Sequence, residues 1–477
     1  MHPRLITENA CVAITRRTSF RKAFLAPWAG SAPDVVSGAA AEAWGRKSSS
    51  SPRWDEVGQI FAYAAALAQR ATKIDWHQLV LNVNHHHSQA TPRDRELAEA
   101  TRILHRTTAC AINWLLREHG LDAPGSVFDK RQTHWTTLVD LEAVTLRTIY
   151  DDVNCVAAGW VAHPLDVPLG HHLGFDLWKA GGIAVPKPEN DAFSSRKMPK
   201  EIELRLTPPI ALVRQFDGDL DAIVAGLSEL RDERLATLAR GRGGPVRGVK
   251  KMRATHPWDE PDTDVDVIGR TIPSFAVGRD DERGVAVRKQ CTQEMYGHRH
   301  AHAARIVRWK AGDRRSAFPA GTLRGHTFLG MPLDVPAFGA ILGAPHPSRE
   351  EVEAELAEKR ALRAKMEAAQ RARMRVREKR RERARELAEH EDLERTLEDE
   401  ARRVRVIDVD LMKKPAPNPN VDGTPEPKSI VRRGLDDARV TKTEGQRVIV
   451  LRTRDAEAGK RSKRRRRGRR GANDPPA

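Results

Sequence analysis

The order of hydrophobic patterns in the first third of the chain limits the possible fold more than any other feature. "ENACVAITRRTSF" alternates Val12 and Ile14 with Ala13 and Thr15, a pattern typical of a strand. "WDEVGQIFAYAAALAQRATK" repeats apolar residues at helical spacing, and Asp55 is its predicted N-cap. The pattern therefore predicts a strand followed by a helix.

Three more elements follow in the same region. "IDWHQLVLNVN" predicts a strand, and "RDRELAEATRILHRTTACAINWLLREHG" predicts a long helix that ends at Gly120. A further helix is predicted from about Asp140 to Ala158. The order strand, helix, strand, helix, helix predicts a compact unit of mixed helices and strands over residues 1–180.

The rest of the chain changes character three times. Residues 181–347 are rich in Pro and Gly, which predicts a partly ordered, irregular extension. Residues 348–411 consist mainly of Glu, Arg, Lys, Ala and Leu and predict a long charged helix. Its sparse apolar positions favour a solvated single helix over a coiled coil. Residues 412–477, which include "KRSKRRRRGRRG", predict a disordered basic tail.

Charge and cysteine content indicate the class of partner and the compartment. The chain has 82 Lys and Arg against 65 Asp and Glu, and the net charge of +17 favours a polyanionic partner such as nucleic acid. Its four cysteines are far apart and form no C-x-x-C pair, so neither a disulfide framework nor a cysteine zinc site is expected. No apolar run approaches the ~18–20 residues of a membrane span, and the amino terminus has no signal-peptide core. We expect a soluble cytoplasmic protein.

Three consecutive histidines stand at the end of an apolar strand in "VLNVNHHHSQATP". Side chains at i and i+2 share one face of a strand, so His85 and His87 should emerge side by side while His86 points to the other face. Two imidazoles in this arrangement can share a divalent ion, and Asn84 can fix the orientation of a ring through a hydrogen bond. The alternative is a histidine-rich strand end at the surface.

The segment "LRTIYDDVNCVAAGWVAHPLD" holds a second pair of candidates. Tyr150 and Asn154 are i and i+4 on the predicted helix, so their side chains lie on one face, a single turn apart. A phenol and an amide oxygen on that face can reach the same phosphate. The alternative is a core aromatic and a helix-end residue. Tyr63 lies in an apolar helix where burial is expected, and Tyr296 has no asparagine four residues later.

Together these motifs resemble those of the REP-associated tyrosine transposases, which belong to the HUH superfamily of single-strand DNA nucleases. The resemblance includes "VAITRRTSFRKAFLAP", "NHHH" after an apolar strand, and "YDDVNCVAAGWVAHPLD". It covers residues 3–180 well and residues 200–325 loosely. The chain departs from the family pattern at Cys155, where the family has proline, and at Val167 and Leu169, where it has tryptophan and glycine.

The resemblance implies an α+β fold with an antiparallel sheet and flanking helices, the ferredoxin-like core of this superfamily. It also implies a transposase that cleaves and rejoins single-stranded DNA through a 5′-phosphotyrosine intermediate, in DNA transposition and recombination. Tyr150 would be the nucleophile, and His85, His87 and Asn154 would hold Mg²⁺ or Mn²⁺.

The implied partner is single-stranded DNA that contains a hairpin, bound by a nucleoid-associated monomer or homodimer. Two other functions stay open, a DNA-binding relative without catalytic activity and an RNA-binding protein. Basic residues near the two motifs are candidate phosphate contacts, with a solvated basic face as the alternative. These residues are Arg16, Arg17, Arg21, Lys22, Lys130, Arg131 and His134.

Overall fold

The structure is a computed structural model that describes residues 4–28, 54–93, 96–131, 133–259, 274–322, 326 and 329–410. Eight strands lie in these ranges, namely β1 (Val12–Arg17), β2 (Ile74–Asn82), β3 (His85–Pro92), β4 (His134–Leu138), β5 (His172–Leu173), β6 (Ile183–Pro186), β7 (Glu201–Leu204) and β8 (Phe275–Ala276). The same ranges hold nine α-helices, namely α1 (Glu56–Ala71), α2 (Leu97–Glu118), α3 (Leu141–Asp152), α4 (Asn154–Ala157), α5 (Ile210–Gln215), α6 (Leu220–Gly241), α7 (Gly248–Arg253), α8 (Glu282–Lys310) and α9 (Arg349–Asp410). The predicted α+β class is confirmed.

The main sheet has six strands in the order β5-β2-β3-β1-β4-β8. Neighbouring strands from β5 to β4 are antiparallel, as predicted, whereas β4 and β8 pair in parallel. The sheet is therefore mixed at one edge, because the edge strand β8 comes from the extension. Strands β6 and β7 form a separate antiparallel pair.

The two faces of the main sheet differ in chemistry. Helices α1 and α2 cover the face that contains Val12 and Ile14 of β1, and both of these side chains are fully buried. Helix α3 packs on the other face, where the Thr148 hydroxyl donates to Gln89 Oε1 of β3 at 2.9 Å. Because side chains alternate along a strand, β3 directs His86 toward the apolar layer and His85 and His87 toward α3.

The helix ends follow local signals in the sequence. The Asp55 carboxylate accepts a hydrogen bond from the Gly58 backbone N–H at 3.1 Å and caps α1, as predicted. Helix α2 ends at Glu118, and Gly120 follows with φ of 69°, a conformation that favours glycine. The helix predicted over residues 140–158 is interrupted at Val153, whose φ and ψ of −90° and 9° leave the helical region and separate α3 from α4.

The extension, residues 181–347, packs through α6 against the unit of helices and strands formed by residues 1–180. The Arg231 guanidinium of α6 donates to Asp176 at 2.6 Å and lies 3.9 Å from the buried Asp152 carboxylate at the end of α3. The Arg231 guanidinium also lies over the Phe175 ring, 4.7 Å from its centroid. This buried ion pair fixes α6 beside the helix that carries Tyr150.

The predicted long charged helix is confirmed as α9. Its first turns pack Val352 and Leu356 against Ile210 and Val213 of the extension, and the side chains of residues 357–403 are exposed. None of the helices in the described part of the chain combines the length and apolar character needed to cross a membrane.

The chain divides into two compact units, Met1–Arg381 and Glu382–Ala477. The described residues of the second unit, 382–410, are all helical. The subdivision of the first unit near residues 180 and 347 stays a prediction, and the predicted disordered basic tail, residues 412–477, lies outside the described residues.

Candidate active site

The histidine triplet begins strand β3. We predicted it at the end of the preceding apolar strand, but that strand, β2, ends at Asn82, and Val83 and Asn84 form the turn of a hairpin. The prediction was wrong because an apolar run does not show where a chain reverses direction. The imidazole rings of His85 and His87 share one face of β3, with their centroids 4.8 Å apart.

His86 belongs to the apolar layer on the opposite face. It is fully buried, its Nε2 lies 2.9 Å from His105 Nε2 of α2, and its ring lies 5.0 Å from the ring of Phe61. Burial lowers the pKa of His86 to about 3, and the nearby Arg16 acts in the same direction. His86 is therefore a neutral core residue.

His85 is held by asparagines on two elements. Its Nδ1 lies 2.8 Å from Asn84 Oδ1, so Nδ1 carries the proton and donates it, and its ring also hydrogen-bonds the Asn154 side chain. Burial, followed by the charge of Arg17, lowers the pKa of His85 to about 4. The ring is thus neutral near pH 7, with Nε2 unprotonated.

His87 has one ring nitrogen that is fully occupied and one that is not. Its Nδ1 lies 3.1 Å from Thr15 Oγ1, 3.0 Å from Arg147 Nη2 and 3.3 Å from Asp151 Oδ1. Its Nε2 is buried and has no hydrogen-bond partner in the described part of the chain. Burial, with the charge of His85 next, holds the pKa of His87 well below its usual value. A buried polar atom without a protein partner is costly, and in folded proteins an ordered water or a bound ion satisfies such an atom.

Tyr150 lies directly against this ring. Its aromatic ring is perpendicular to that of His87, with centroids 5.7 Å apart, and 49% of the residue is exposed to solvent. The Arg147 guanidinium lies 5.1 Å from the centroid of the tyrosine ring. Tyr63, in contrast, is fully buried and donates its hydroxyl to the Pro199 carbonyl at 2.7 Å. Tyr150 thus meets the histidine pair, and Tyr63 does not.

Asn154 and Cys155 follow the break between α3 and α4. Although the break at Val153 ends the continuous helix on which their i, i+4 spacing was based, the Asn154 side chain still reaches His85. Cys155 is 1% exposed and packs in an apolar cluster with Val156 and Met252. Burial raises the pKa of the Cys155 thiol, so this cysteine fills space as a neutral side chain.

Arg147 and Asp151, which were not predicted as site residues, complete the polar layer under Tyr150. Asp151 is fully buried, and its Oδ2 accepts from Arg147 Nε at 2.9 Å. Burial raises the pKa of Asp151 to about 7, although the charge of Arg147 opposes the shift. The i, i+4 spacing of Arg147 and Asp151 around Tyr150 was visible in the sequence. Their contact with His87 was not, because it joins residues that are 60 or more positions apart.

A third missed residue is Asn82, which pairs with His85 across the hairpin. It is 2% exposed, and neither its amide nitrogen nor its amide oxygen has a hydrogen-bond partner among the described residues. Antiparallel partners in a sheet point to the same face, so this amide lies on the face of the histidine pair.

The side chains at this site fit a divalent ion as two imidazoles and one amide. Within the ranges that the structure describes, no three His, Cys, Asp or Glu side chains form a cluster that could hold a metal. The candidate ligand set is therefore His85, His87 and Asn154, in which two neutral nitrogens and an amide oxygen suit Mn²⁺ or Mg²⁺. The partnerless Nε2 of His87 is the atom that such a ligand would satisfy.

The predicted phosphate contacts divide into two groups. Arg17 pairs with His85 in the β1–β3 ladder and is exposed, and His134 pairs with Thr15 from β4, so both lie on the face of the site. Arg16 lies on the opposite face and donates to the Asp129 carbonyl at 2.9 Å. Lys22 is 9% exposed and donates to the Trp258 carbonyl at 3.0 Å.

The other three cations lie outside the sheet. Arg21 is partly buried with φ of 56°, in the short turn after β1. Lys130 and Arg131 are exposed in the loop before β4. The structure thus brings Arg17 and His134 to the histidine pair and gives Arg16 and Lys22 partners inside the protein.

Comparisons with known proteins give one similar structure. No protein-family model and no curated protein matches the chain. Among solved structures, the chain is similar to one described as a REP-associated tyrosine transposase bound to a REP hairpin, with 13% sequence identity and a TM-score of 0.23. The match covers 35% of this chain and 80% of that chain. A TM-score of this size establishes neither a shared fold nor a family, so the function has to be argued from the residues of the site.

Proposed function

We propose that this protein is a metal-dependent tyrosine nuclease and strand transferase, of the transposase type, that acts on single-stranded DNA. One observation carries the proposal. The buried Nε2 of His87 has no partner among the described residues, and it belongs to the ring against which the half-exposed Tyr150 packs. A ligand position next to a solvent-accessible phenol is what a phosphotyrosine reaction needs.

In this proposal His85, His87 and Asn154 hold Mg²⁺ or Mn²⁺. Burial keeps both imidazoles neutral. Because His85 Nδ1 donates to Asn84, the lone pair of His85 Nε2 is available to a ligand. When bound, the ion supplies Lewis-acid polarisation of the scissile phosphate. The sheet supplies the rigid support that such a ligand pair requires.

Tyr150 carries out the covalent step. Its oxygen attacks the phosphorus, the bond between phosphorus and the 3′ oxygen breaks, and the products are a 5′-phosphotyrosine and a free 3′-hydroxyl. The phenol proton passes to solvent, which reaches Tyr150, and the leaving 3′ oxygen gains a proton. Attack of a 3′-hydroxyl on the phosphotyrosine then restores a phosphodiester and the phenol, so strand transfer needs no external energy source.

The cations near the site favour a phosphate there. The Arg147 guanidinium contacts the Tyr150 ring, and the exposed Arg17 lies across from His85. Lys130 and Arg131 are exposed in the loop that leads into β4, and we propose that they contact the DNA backbone further from the scissile bond.

The test is a covalent-adduct assay with Mg²⁺ or Mn²⁺ and hairpin-containing single-stranded oligonucleotides labelled at the 3′ end, because the 5′-phosphotyrosine retains the fragment on the 3′ side of the cut. We expect a labelled protein band on a denaturing gel with the wild type and with Tyr296→Phe, which changes a tyrosine 54% exposed on α8. We expect no band with Tyr150→Phe. DNA binding without any adduct would support an inactive relative, and a preference for RNA that His85→Ala leaves unchanged would support an RNA-binding protein. Either result would overturn the proposal.

A further inference from the structure

A basic segment of the extension borders the candidate active site. Residues 240–258, here called the basic strap, include the end of α6, all of α7 and a loop that ends at Trp258. The strap contains no Asp or Glu. Its cations are Arg240, Arg242, Arg247, Lys250, Lys251 and Arg253.

The strap is tied by backbone hydrogen bonds to the end of α4. The Arg247 N–H donates to the Gly159 carbonyl at 2.9 Å, and the Gly248 N–H donates to the Trp160 carbonyl at 2.8 Å. The Arg242 guanidinium donates to the Val156 carbonyl at 3.0 Å. The strap therefore has a fixed position relative to the helix that begins at Asn154.

Apolar contacts tie the strap to both elements that carry the proposed metal ligands. Val249 and Met252 pack in one cluster with Cys155 and with Val83. Cys155 directly follows Asn154, and Val83 lies in the hairpin turn two residues before His85. The strap thus shares an apolar cluster with the residue that follows Asn154 and with a residue two positions before His85.

The far end of the strap reaches the segment that follows β1. The Trp258 ring packs edge to face on Phe24, with centroids 5.0 Å apart, and its carbonyl accepts from Lys22 at 3.0 Å. Its indole N–H donates to the Asp122 carbonyl at 2.9 Å. Because Arg17 ends β1 just before this segment, the strap runs along the border of the site from α4 to the end of β1.

Several charges of the strap point to solvent although its apolar side chains are buried. Met252 is 1% exposed, whereas Arg240, Lys250 and Lys251 are exposed. The Arg247 guanidinium lies over the Trp160 ring, 4.8 Å from its centroid, and this contact with a tryptophan that is 8% exposed holds the cation beside α4. Asp259 directly follows the strap and accepts from the His256 N–H at 2.9 Å, whereas no acidic residue stands between Arg240 and Lys251 in the sequence. Fixed, exposed cations of this kind match a phosphate backbone.

We propose that the basic strap binds the phosphate backbone of single-stranded DNA on one side of the scissile position. The identity of the nucleic acid rests on the function proposed above. That the strap binds a polyanion is inferred from its own charges and from its contacts with α4, the hairpin turn and the segment after β1. Its role is to hold the strand in register with Tyr150, separately from the chemistry.

The test measures binding without cleavage, in a Tyr150→Phe background of the full chain. A triple variant of the strap, Arg240→Ala, Lys250→Ala and Lys251→Ala, is compared with a triple variant of α9, Arg373→Ala, Arg377→Ala and Arg381→Ala. The α9 variant removes the same charge from exposed helical positions. Fluorescence anisotropy with a labelled single-stranded DNA gives the dissociation constant at several salt concentrations, and circular dichroism checks that both variants fold.

Each phosphate contact on a single strand adds about 0.7 to the slope of log K against log salt, so we expect the strap variant to lose about 2 units of slope. Between about 50 and 200 mM salt, the fold-decrease in the affinity of the strap variant should therefore be about 16 times smaller than the fold-decrease in the affinity of the parent. The α9 variant should keep the slope of the parent. An equal loss in both variants, no loss in either, or a loss with RNA but not with DNA overturns the proposal. Because no cleavage is measured, a failure of the tyrosine chemistry would leave this result interpretable.

Discussion

Asp151 should control the affinity of the site for a divalent cation through His87. The Asp151 Oδ1 atom and the Arg147 Nη2 atom both lie close to His87 Nδ1, at 3.3 Å and 3.0 Å. A proton on Nδ1 can be donated to the carboxylate or to the Thr15 hydroxyl, whose Oγ1 lies 3.1 Å away, and it leaves Nε2 free to bind a cation. Acceptance of a hydrogen bond from Arg147 requires the other tautomer, in which Nε2 carries the proton. Asp151 therefore favours the binding form of the ring.

Asp151→Asn keeps the shape of the side chain and removes its charge, and the comparison is made near pH 8, above the pKa of about 7 to which burial raises this carboxyl. A hydrogen bond to a charged group contributes about 1.5–3 kcal/mol, which corresponds to about 10- to 100-fold in affinity. The amide oxygen of the asparagine can still accept from Arg147 Nε, and its NH2 then faces His87 Nδ1 and donates to it, which requires the tautomer with the proton on Nε2. We expect Asp151→Asn to weaken Mn²⁺ binding by about 10- to 100-fold.

The measurement is titration of Mn²⁺ into the protein, followed by calorimetry or by the electron paramagnetic resonance of free Mn²⁺. Asp221→Asn is the matched control, because it removes the same charge from a position on α6 whose side chain is 86% exposed. His87→Ala should abolish the binding at this site. Affinity of Asp151→Asn within about twofold of the wild type, with His87→Ala inactive in binding, would refute the role assigned to the carboxylate.

Two further predictions concern the stability of the core. Gly58→Ala should lower the free energy of unfolding by about 1–3 kcal/mol, because an added Cβ would lie 2.8 Å from the Gly170 carbonyl carbon. Gly297→Ala in α8, where no atom of the described residues lies within 4 Å of the added Cβ, should raise it by about 0.5–1 kcal/mol. Urea denaturation checks both, and equal effects would contradict the close approach at Gly58. Burial holds the pKa of His86 at about 3 and that of His105 well below its usual value. The unfolded chain therefore binds more protons below about pH 6.5, and stability should fall as the pH is lowered from there, by about 1.4 kcal/mol per unit for each histidine. Replacement of both by leucine should flatten this fall, and an unchanged slope would refute the assignment.

The parts of the fold that local patterns encode were predictable. The alternation of Val12 and Ile14 identified β1 as a strand, and Asp55 and Gly120 marked helix ends, since these signals act within a few residues. The hairpin turn at Val83 and the break at Val153 were missed although asparagine or aspartate flanks both, because these residues are found at turns as well as within regular elements.

The site was predictable only as a set of residue types. The pattern of the triplet and the spacing of Tyr150 indicated which side chains to consider. The burial of Lys22 under Trp258 and the approach of Asp151 to His87 depend on contacts between distant segments, which no local pattern records. The same limit applies to the basic strap, whose charges are visible in the sequence but whose position beside α4 is not.

Because β3 lies inside the sheet, the backbone that carries the histidines is more rigid than the helix junction that faces it. Strand β3 has a hydrogen-bonded neighbour on each side, β1 and β2, so the backbone under His85 and His87 is held in place from both sides. Tyr150 and Asn154 stand on either side of the non-helical Val153. If single-stranded DNA binds here, we expect a small rotation at this helix junction to accommodate it. The imidazoles of His85 and His87 should keep their positions.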